Sequence, residues 1–168
     1  YARFILPIDE ATNSRIGYQQ LSSLRGIEFP MYSYENYNTQ KYEYVYLAGF
    51  GHCNNDNINS ETKIHRVSDR LIKQKLPIYP STTTYDPEIY SKENHYFQEP
   101  VFIPDPNGED EDDGVILSMA FNSIDNKSYL LILDGKTFEE IALITPNLDR
   151  VIPITLHGRY YESMITAF

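Results

Sequence analysis

Apolar and polar positions alternate most clearly over Tyr42 to Phe50 (YEYVYLAGF), where Tyr42, Tyr44 and Tyr46 fall on one face of an extended chain and Val45 and Leu47 on the other. A strand is predicted there. From Gly114 onward the pattern is regular: GVILSMAF, turn NSIDNK, SYLLILD, turn GKT, FEEIALIT, loop PNLDR, VIPITLH. Short apolar runs bounded by turn residues predict successive strands. One segment carries a conflicting signal, because Thr137 and Glu140 have the spacing of a helix capping box. Ile144, Thr145 and Pro146 end that run after about two turns, short of a stable helix, so it too is predicted as strand.

Upstream the signals are weaker. Arg3 to Ile8 (RFILPI) reads as a strand stopped near Pro7, and DEATNSRIGYQQLSSLRG as loop with one short strand at most. GIEFPMYSY is predicted extended, since Pro30 disfavours a helix and biases Phe29 towards extended backbone. HCNNDNINS reads as loop, KIHRV and LIKQKLPI as a hairpin across SDR, and Pro77 to Asn94 as an irregular connection broken by Pro77, Pro80 and Pro87. Val101 to Ile103, bracketed by Pro100 and Pro104, is a short strand that breaks into an acidic turn ending at Gly114. Strands at this spacing predict an all-β sandwich, barrel or propeller rather than a βαβ sheet. No internal repeat of about 40–50 residues selects the propeller from sequence alone.

Composition narrows this picture. A chain of 168 residues, 41% hydrophobic and 23% charged, belongs to the globular class and suffices for one ordinary domain. Fourteen basic against 24 acidic residues give a net charge of −10, without the cationic footprint that nucleic acid or anionic lipid requires. Fifteen tyrosines and no tryptophan predict aromatic ladders across neighbouring strands. Cys53, the sole cysteine, excludes an internal disulfide framework and suits a reducing, intracellular (cytoplasmic) compartment. No apolar stretch reaches the roughly 18–20 residues that span a bilayer, and YARFILPIDE lacks a signal-peptide pattern, so any membrane contact is expected to be peripheral or outside this chain. The opening in mid-strand pattern without an initiator Met predicts a piece of a longer protein.

Few residues carry candidate chemistry. His157 follows the β-branched run PITL and precedes Gly158, which leaves room for close backbone approach; an imidazole at a strand end is a good donor to iron, zinc or copper. The same residue also fits a satisfied structural histidine. Glu28 and Glu99 lie in Phe-Pro and Pro-Val-Phe contexts where a carboxylate needs a proton, a charge partner or a donor. The run Glu109 to Asp113 is read as a solvated turn; a calcium loop is the alternative, although its order lacks EF-hand spacing. His52, Cys53 and Asp56 converge poorly for zinc or nucleophilic chemistry, His65 is expected to face solvent, and His95 is placed in a loop. Asn126-Lys127-Ser128 forms a glycosylation sequon read as chance. No phosphate loop, nucleophile elbow or basic-aromatic nucleic-acid surface is present.

The motifs IEFP, EPVFIPDP, EDDGVILS, LLILD and LHG, in that order, resemble the C-terminal part of the carotenoid cleavage oxygenases. The resemblance implies a fold, an all-β seven-bladed propeller of which residues 1–168 supply the C-terminal blades as a segment of a single domain. It implies an Fe(2+)-dependent dioxygenase that cleaves a conjugated double bond of a carotenoid or apocarotenoid with O2 into carbonyl products. His157 then matches one of four iron-binding histidines, and Glu28 and Glu99 match glutamates that accept hydrogen bonds from the remote N–H of such histidines. Phe29 is a candidate for the apolar substrate tunnel or for the core. Retinoid isomerohydrolysis on the same iron site is the alternative within the family, and a calcium- or ligand-binding β module the alternative outside it. Three departures stand out: Tyr-Phe-Gln precedes Glu99 where Pro-Ser is common, Pro77 to Asn94 is longer than usual, and three iron histidines are absent. The missing ligands predict that the segment is inactive without the remaining N-terminal part of the propeller, and its open strand edges predict aggregation.

Overall fold

A computed structural model describes residues 2–6, 16–22, 24–50, 67–146, 151–153 and 157–161. The described residues form three antiparallel sheets and one helical turn. β1 (Ala2–Ile5) pairs with β2 (Gly17–Gln20) as a two-stranded sheet, with Phe4 opposite Tyr18. A four-stranded meander follows in the order β3 (Ile27–Met31), β4 (Tyr44–Gly49), β5 (Arg70–Lys75), β6 (Glu88–Tyr90). In the last sheet β7 (His95–Phe97) and β8 (Val101–Pro104) follow one another along one edge of β9 (Gly114–Asn122), whose other edge pairs with β10 (Lys127–Asp134) and then β11 (Glu140–Ile144). Counting β7 and β8 as one interrupted strand, both larger sheets run strictly in chain order, each strand antiparallel to the next.

The alternation in YEYVYLAGF decides how the sheets stack. Tyr46 and Leu71 face the last sheet, where they bury with Phe97, Phe102, Ile116, Ala120, Leu131, Leu133 and Phe138. Val45, Leu47 and Ile72 face the opposite way and bury with Leu21 and Leu76. The middle sheet is therefore covered on both faces. The expected cross-strand aromatic contact occurs in the first sheet, where the Phe4 and Tyr18 rings meet edge-on at 5.5 Å. Aromatic packing also joins facing sheets, since the Tyr46 and Phe102 rings stack at 5.0 Å with 12° between their planes.

Several expectations need correction. The extended run from Gly26 stops at Met31, because Tyr34–Tyr37 form one helical turn (α1) closed by Tyr37 N–H donating to Ser33 O at 2.9 Å. β5 pairs with β4 and β6, and residues 63–66 of KIHRV, its expected hairpin partner, lie outside the described residues. The connection Pro77 to Asn94 holds β6, a three-residue strand completed by the β5 edge. His95 sits in β7 rather than a loop and is buried, its Nδ1 2.8 Å from the Glu93 carbonyl and its Nε2 3.3 Å from the Asn122 side chain. That is a structural histidine. His52, Cys53, Asp56 and His65 lie outside the described residues.

The acidic turn is not simply solvated. Asp112 is buried and forms an ion pair with buried Lys73 of β5, Oδ2 to Nζ 2.7 Å. Glu111 accepts from the backbone N–H groups of Glu43 at 2.7 Å and Tyr44 at 2.8 Å, satisfying the entry to β4, although burial pushes its carboxyl above the usual carboxylate range. Asp113 accepts from the amides of Asp110 and Glu109, which, with Lys136, hold its carboxyl below the usual range. The turn thereby clamps the last sheet onto the middle one. Gly135 lets the clamp close: a Cβ there would lie 2.5 Å from the Asp112 carbonyl oxygen.

Candidate functional site

The site grows out of two irregularities in matching places. In β3, Glu28 is opposite Ala48 but Met31 is opposite Tyr46, so Phe29 and Pro30 face Leu47 alone. In the interrupted strand, Phe97 is opposite Ala120 and Val101 opposite Leu117, so residues 98–100 face residues 118–119. Each first strand thus carries one extra residue, a bulge that bends the strand and re-aims a side chain. A glutamate and a proline sit at both bulges: Glu28 with Pro30, Glu99 with Pro100. Proline lacks the N–H that the ladder needs, and Phe29 takes φ 55°, a conformation that few non-glycine residues adopt.

The chain beyond β11 crosses the last sheet to reach the second bulge. Ile152 N–H donates to Ser128 Oγ at 2.9 Å, and the Gln98 side-chain amide reaches the Pro153 carbonyl at 3.5 Å. His157 then lies over Glu99, with Nδ1 3.3 Å from both carboxylate oxygens, while Gly158 N–H donates to Glu99 Oε2 at 2.9 Å. Glu99 is 12% exposed in its side chain and His157 68%. The ring of Phe29, from the first bulge, meets the His157 imidazole edge-on with centroids 5.8 Å apart.

Of the four residues singled out in the sequence, His157, Glu99 and Phe29 come together, and Glu28 adjoins them through Phe29. Glu28 itself is exposed, and its carboxylate has no hydrogen-bond or ionic partner among the described residues. His157 was expected at a strand end; 151–153 and 157–161 lie outside the ladders, because β9 and β10 already have both edges filled, and 154–156 are outside the described residues. Nor does Gly158 serve close approach, since a Cβ there would find Val101 at an ordinary 3.7 Å. Its contribution is the backbone amide that aims Glu99. Sequence reasoning missed this amide and the paired bulges; the recurring Glu and Pro at both places was the available signal.

An open cleft of about 820 Å³ begins at Gly158 and Val101, close to this pair in the chain, and runs along Met31, Tyr32, Tyr34, Phe102, Ile103 and Tyr160. Among the described residues no cluster of three or more His, Cys, Asp or Glu could hold a metal ion alone. What the arrangement offers is a single imidazole whose Nδ1 is engaged by a carboxylate. Nε2 is then the nitrogen left for an electrophile.

The geometry has counterparts in known proteins. Residues 1–162 match the sequence profile of the family described as RPE65, retinal pigment epithelial membrane protein. The chain belongs to the carotenoid cleavage oxygenase family. Among curated members, a mitochondrial carotenoid-cleaving dioxygenase of Mustela putorius furo is 35% identical over 143 residues, 84% of this chain and 23% of the relative. Beta,beta-carotene 15,15'-dioxygenase of Gallus gallus is 32% identical over 136 residues, 80% of this chain and 22% of the relative. Cobalt-substituted Synechocystis apocarotenoid oxygenase superposes with TM-score 0.66 at 28% identity, over 86% of this chain and 27% of that one. An apocarotenoid oxygenase/RPE65 chimera gives TM-score 0.66 at 26% identity, over 89% of this chain and 28% of that one. This chain therefore spans about a quarter of the length of the relatives it matches, and its sheets are blades of their β-propeller fold. No helix among the described residues is long and apolar enough to cross a membrane.

Proposed function

We propose that residues 1–168 are the C-terminal segment of a single propeller domain, in a protein that uses Fe(2+) and O2 to cleave a conjugated double bond of a carotenoid or apocarotenoid into two carbonyl products. The observation that carries this reading is the Glu99–His157 pair. A metal-binding histidine characteristically gives its second ring N–H to a carboxylate, which fixes tautomer and ring orientation. Here both oxygens of a largely buried carboxylate face Nδ1, and the amide of Gly158 keeps that carboxylate in place. The donor set fits the metal: an imidazole oriented from behind, with the rest of its ring exposed.

His157 would hold the iron, with Glu99 orienting it and Glu28 doing the same for an imidazole supplied by another part of the protein. Bound there, ferrous iron supplies the redox chemistry that lets O2 react with a conjugated double bond. This chain's own contribution is placement. The edge of Phe29 restrains the His157 ring and presents an apolar surface beside it, and the cleft along Tyr32, Phe102 and Ile103 offers apolar walls to a polyene. The names of the carotenoid-cleaving dioxygenase, the beta,beta-carotene dioxygenase and the apocarotenoid oxygenase among the relatives support the substrate class.

A calcium module centred on Glu109 to Asp113 is disfavoured by the uses those carboxylates already have. Asp112 is paired with Lys73, Glu111 with two amides, and Asp110 and Asp113 with Lys136 at 2.6 and 3.1 Å. The test is product analysis on the whole protein, purified with iron and given a carotenoid under labelled O2, with a retinyl ester in parallel. Two labelled carbonyl products that vanish on chelation support the proposal. Isomerised and hydrolysed retinyl ester with an untouched carotenoid would replace cleavage by isomerohydrolysis on the same site, and no iron dependence with either substrate would overturn both.

A further inference from the structure

We infer that Ser118 of β9 is a positioning residue for the Glu99–His157 pair, acting through the bulge that carries Glu99. This rests on the reading of His157 as a metal donor. Three residues, 98–100, lie where two, 118 and 119, face them. Gln98 N–H donates to Met119 O at 2.9 Å, and Pro100 has no N–H to give. The Gln98 carbonyl is met by a side chain: Ser118 Oγ lies 3.0 Å from it, and 3.3 Å from the Met119 carbonyl. Ser118 is 2% exposed, so no solvent replaces that donor.

The bond matters because of which peptide it grips. The Gln98 carbonyl belongs to the planar unit that ends at the Cα of Glu99, so fixing that oxygen fixes the direction in which the Glu99 side chain leaves the backbone. A bulge is otherwise the part of the strand with fewest ladder bonds and most freedom to tilt. Ser118 and the Gly158 amide thus hold Glu99 from its two ends, one at the backbone and one at the carboxylate. A serine that merely satisfied a buried carbonyl would support stability alone.

The experiment is a cobalt(II) titration of the whole protein, read by the visible absorption of the bound metal, on wild type, Ser118→Ala, Ser118→Thr and His157→Ala, with thermal melting alongside. Ser118→Thr keeps the hydroxyl. Ser118→Ala is expected to weaken cobalt binding about tenfold, the scale of losing a supporting contact behind a metal ligand, and to alter the absorption band. Ser118→Thr should restore both to within about twofold of wild type. The inference is overturned if Ser118→Ala melts lower but binds cobalt as wild type does, or if Ser118→Thr is as impaired as Ser118→Ala. Unchanged binding in His157→Ala would instead overturn the metal reading on which it rests.

Discussion

Replacing Asp112 by alanine tests how the blades are held together. Its carboxylate is the main partner of the Lys73 ammonium, which is 2% exposed and whose other contacts are the Lys136 carbonyl at 2.6 Å, Glu88 at 3.7 Å and the Tyr44 ring at 4.8 Å. Breaking a buried pair by removing one partner costs about 3–5 kcal/mol, because a charge is left buried. The carbonyl, the ring and the more distant Glu88 carboxylate remain, which places the expected cost near the lower end, about 3 kcal/mol. At 1.4 kcal/mol per decade, that lowers protection of the β5 and β9 amides about 150-fold in native-state hydrogen exchange. Lys73→Met should cost a similar amount, and Lys73→Met with Asp112→Leu should recover most of it, since an apolar pair of matching volume is often neutral there. If Asp112→Ala costs less than about 1 kcal/mol, or the double variant is no better than the singles, the turn is not the clamp described.

Other consequences follow from the same contacts. Glu99→Ala should weaken iron binding about 10–100-fold, measured by competition with a chelator, by leaving the His157 ring unsupported. Asp113 and Asp134, both lowered, the former chiefly by the Asp110 amide and the latter by the Thr137 amide, contribute stability that is present above their ordinary value of 3.8 and lost as pH falls through their folded values. Glu111, raised by burial, runs the other way: its contribution grows as pH falls towards its ordinary 4.5, and Glu111→Gln should flatten that part of a melting-temperature profile.

The strands legible in the sequence were those whose pattern is self-contained. β9, β10 and β11 are apolar runs separated by turn residues, and each pairs with its neighbour in the chain. β6 was not legible, because the three residues after Pro87 become a strand only when the β5 edge supplies their partners. The acidic turn was misread for a related reason: local composition says solvent, whereas Lys73 and the Glu43 amide lie 39 and 68 residues upstream of their carboxylates. The family motifs singled out His157 and Glu99 separately, but that the two pair with one another was not legible, since 58 residues separate them and neither has a local reason to seek the other. The bulges were invisible as geometry, although the prolines beside Glu28 and Glu99 mark where the ladders fail.

The most direct test of the central claim, that His157 presents its imidazole to a metal with Glu99 behind it, is the iron content of the purified whole protein with and without that ring. The account predicts bound iron in the wild type and little in a folded His157→Ala variant, with partial return when free imidazole is added. Wild-type iron in His157→Ala, at an unchanged melting temperature, would contradict it.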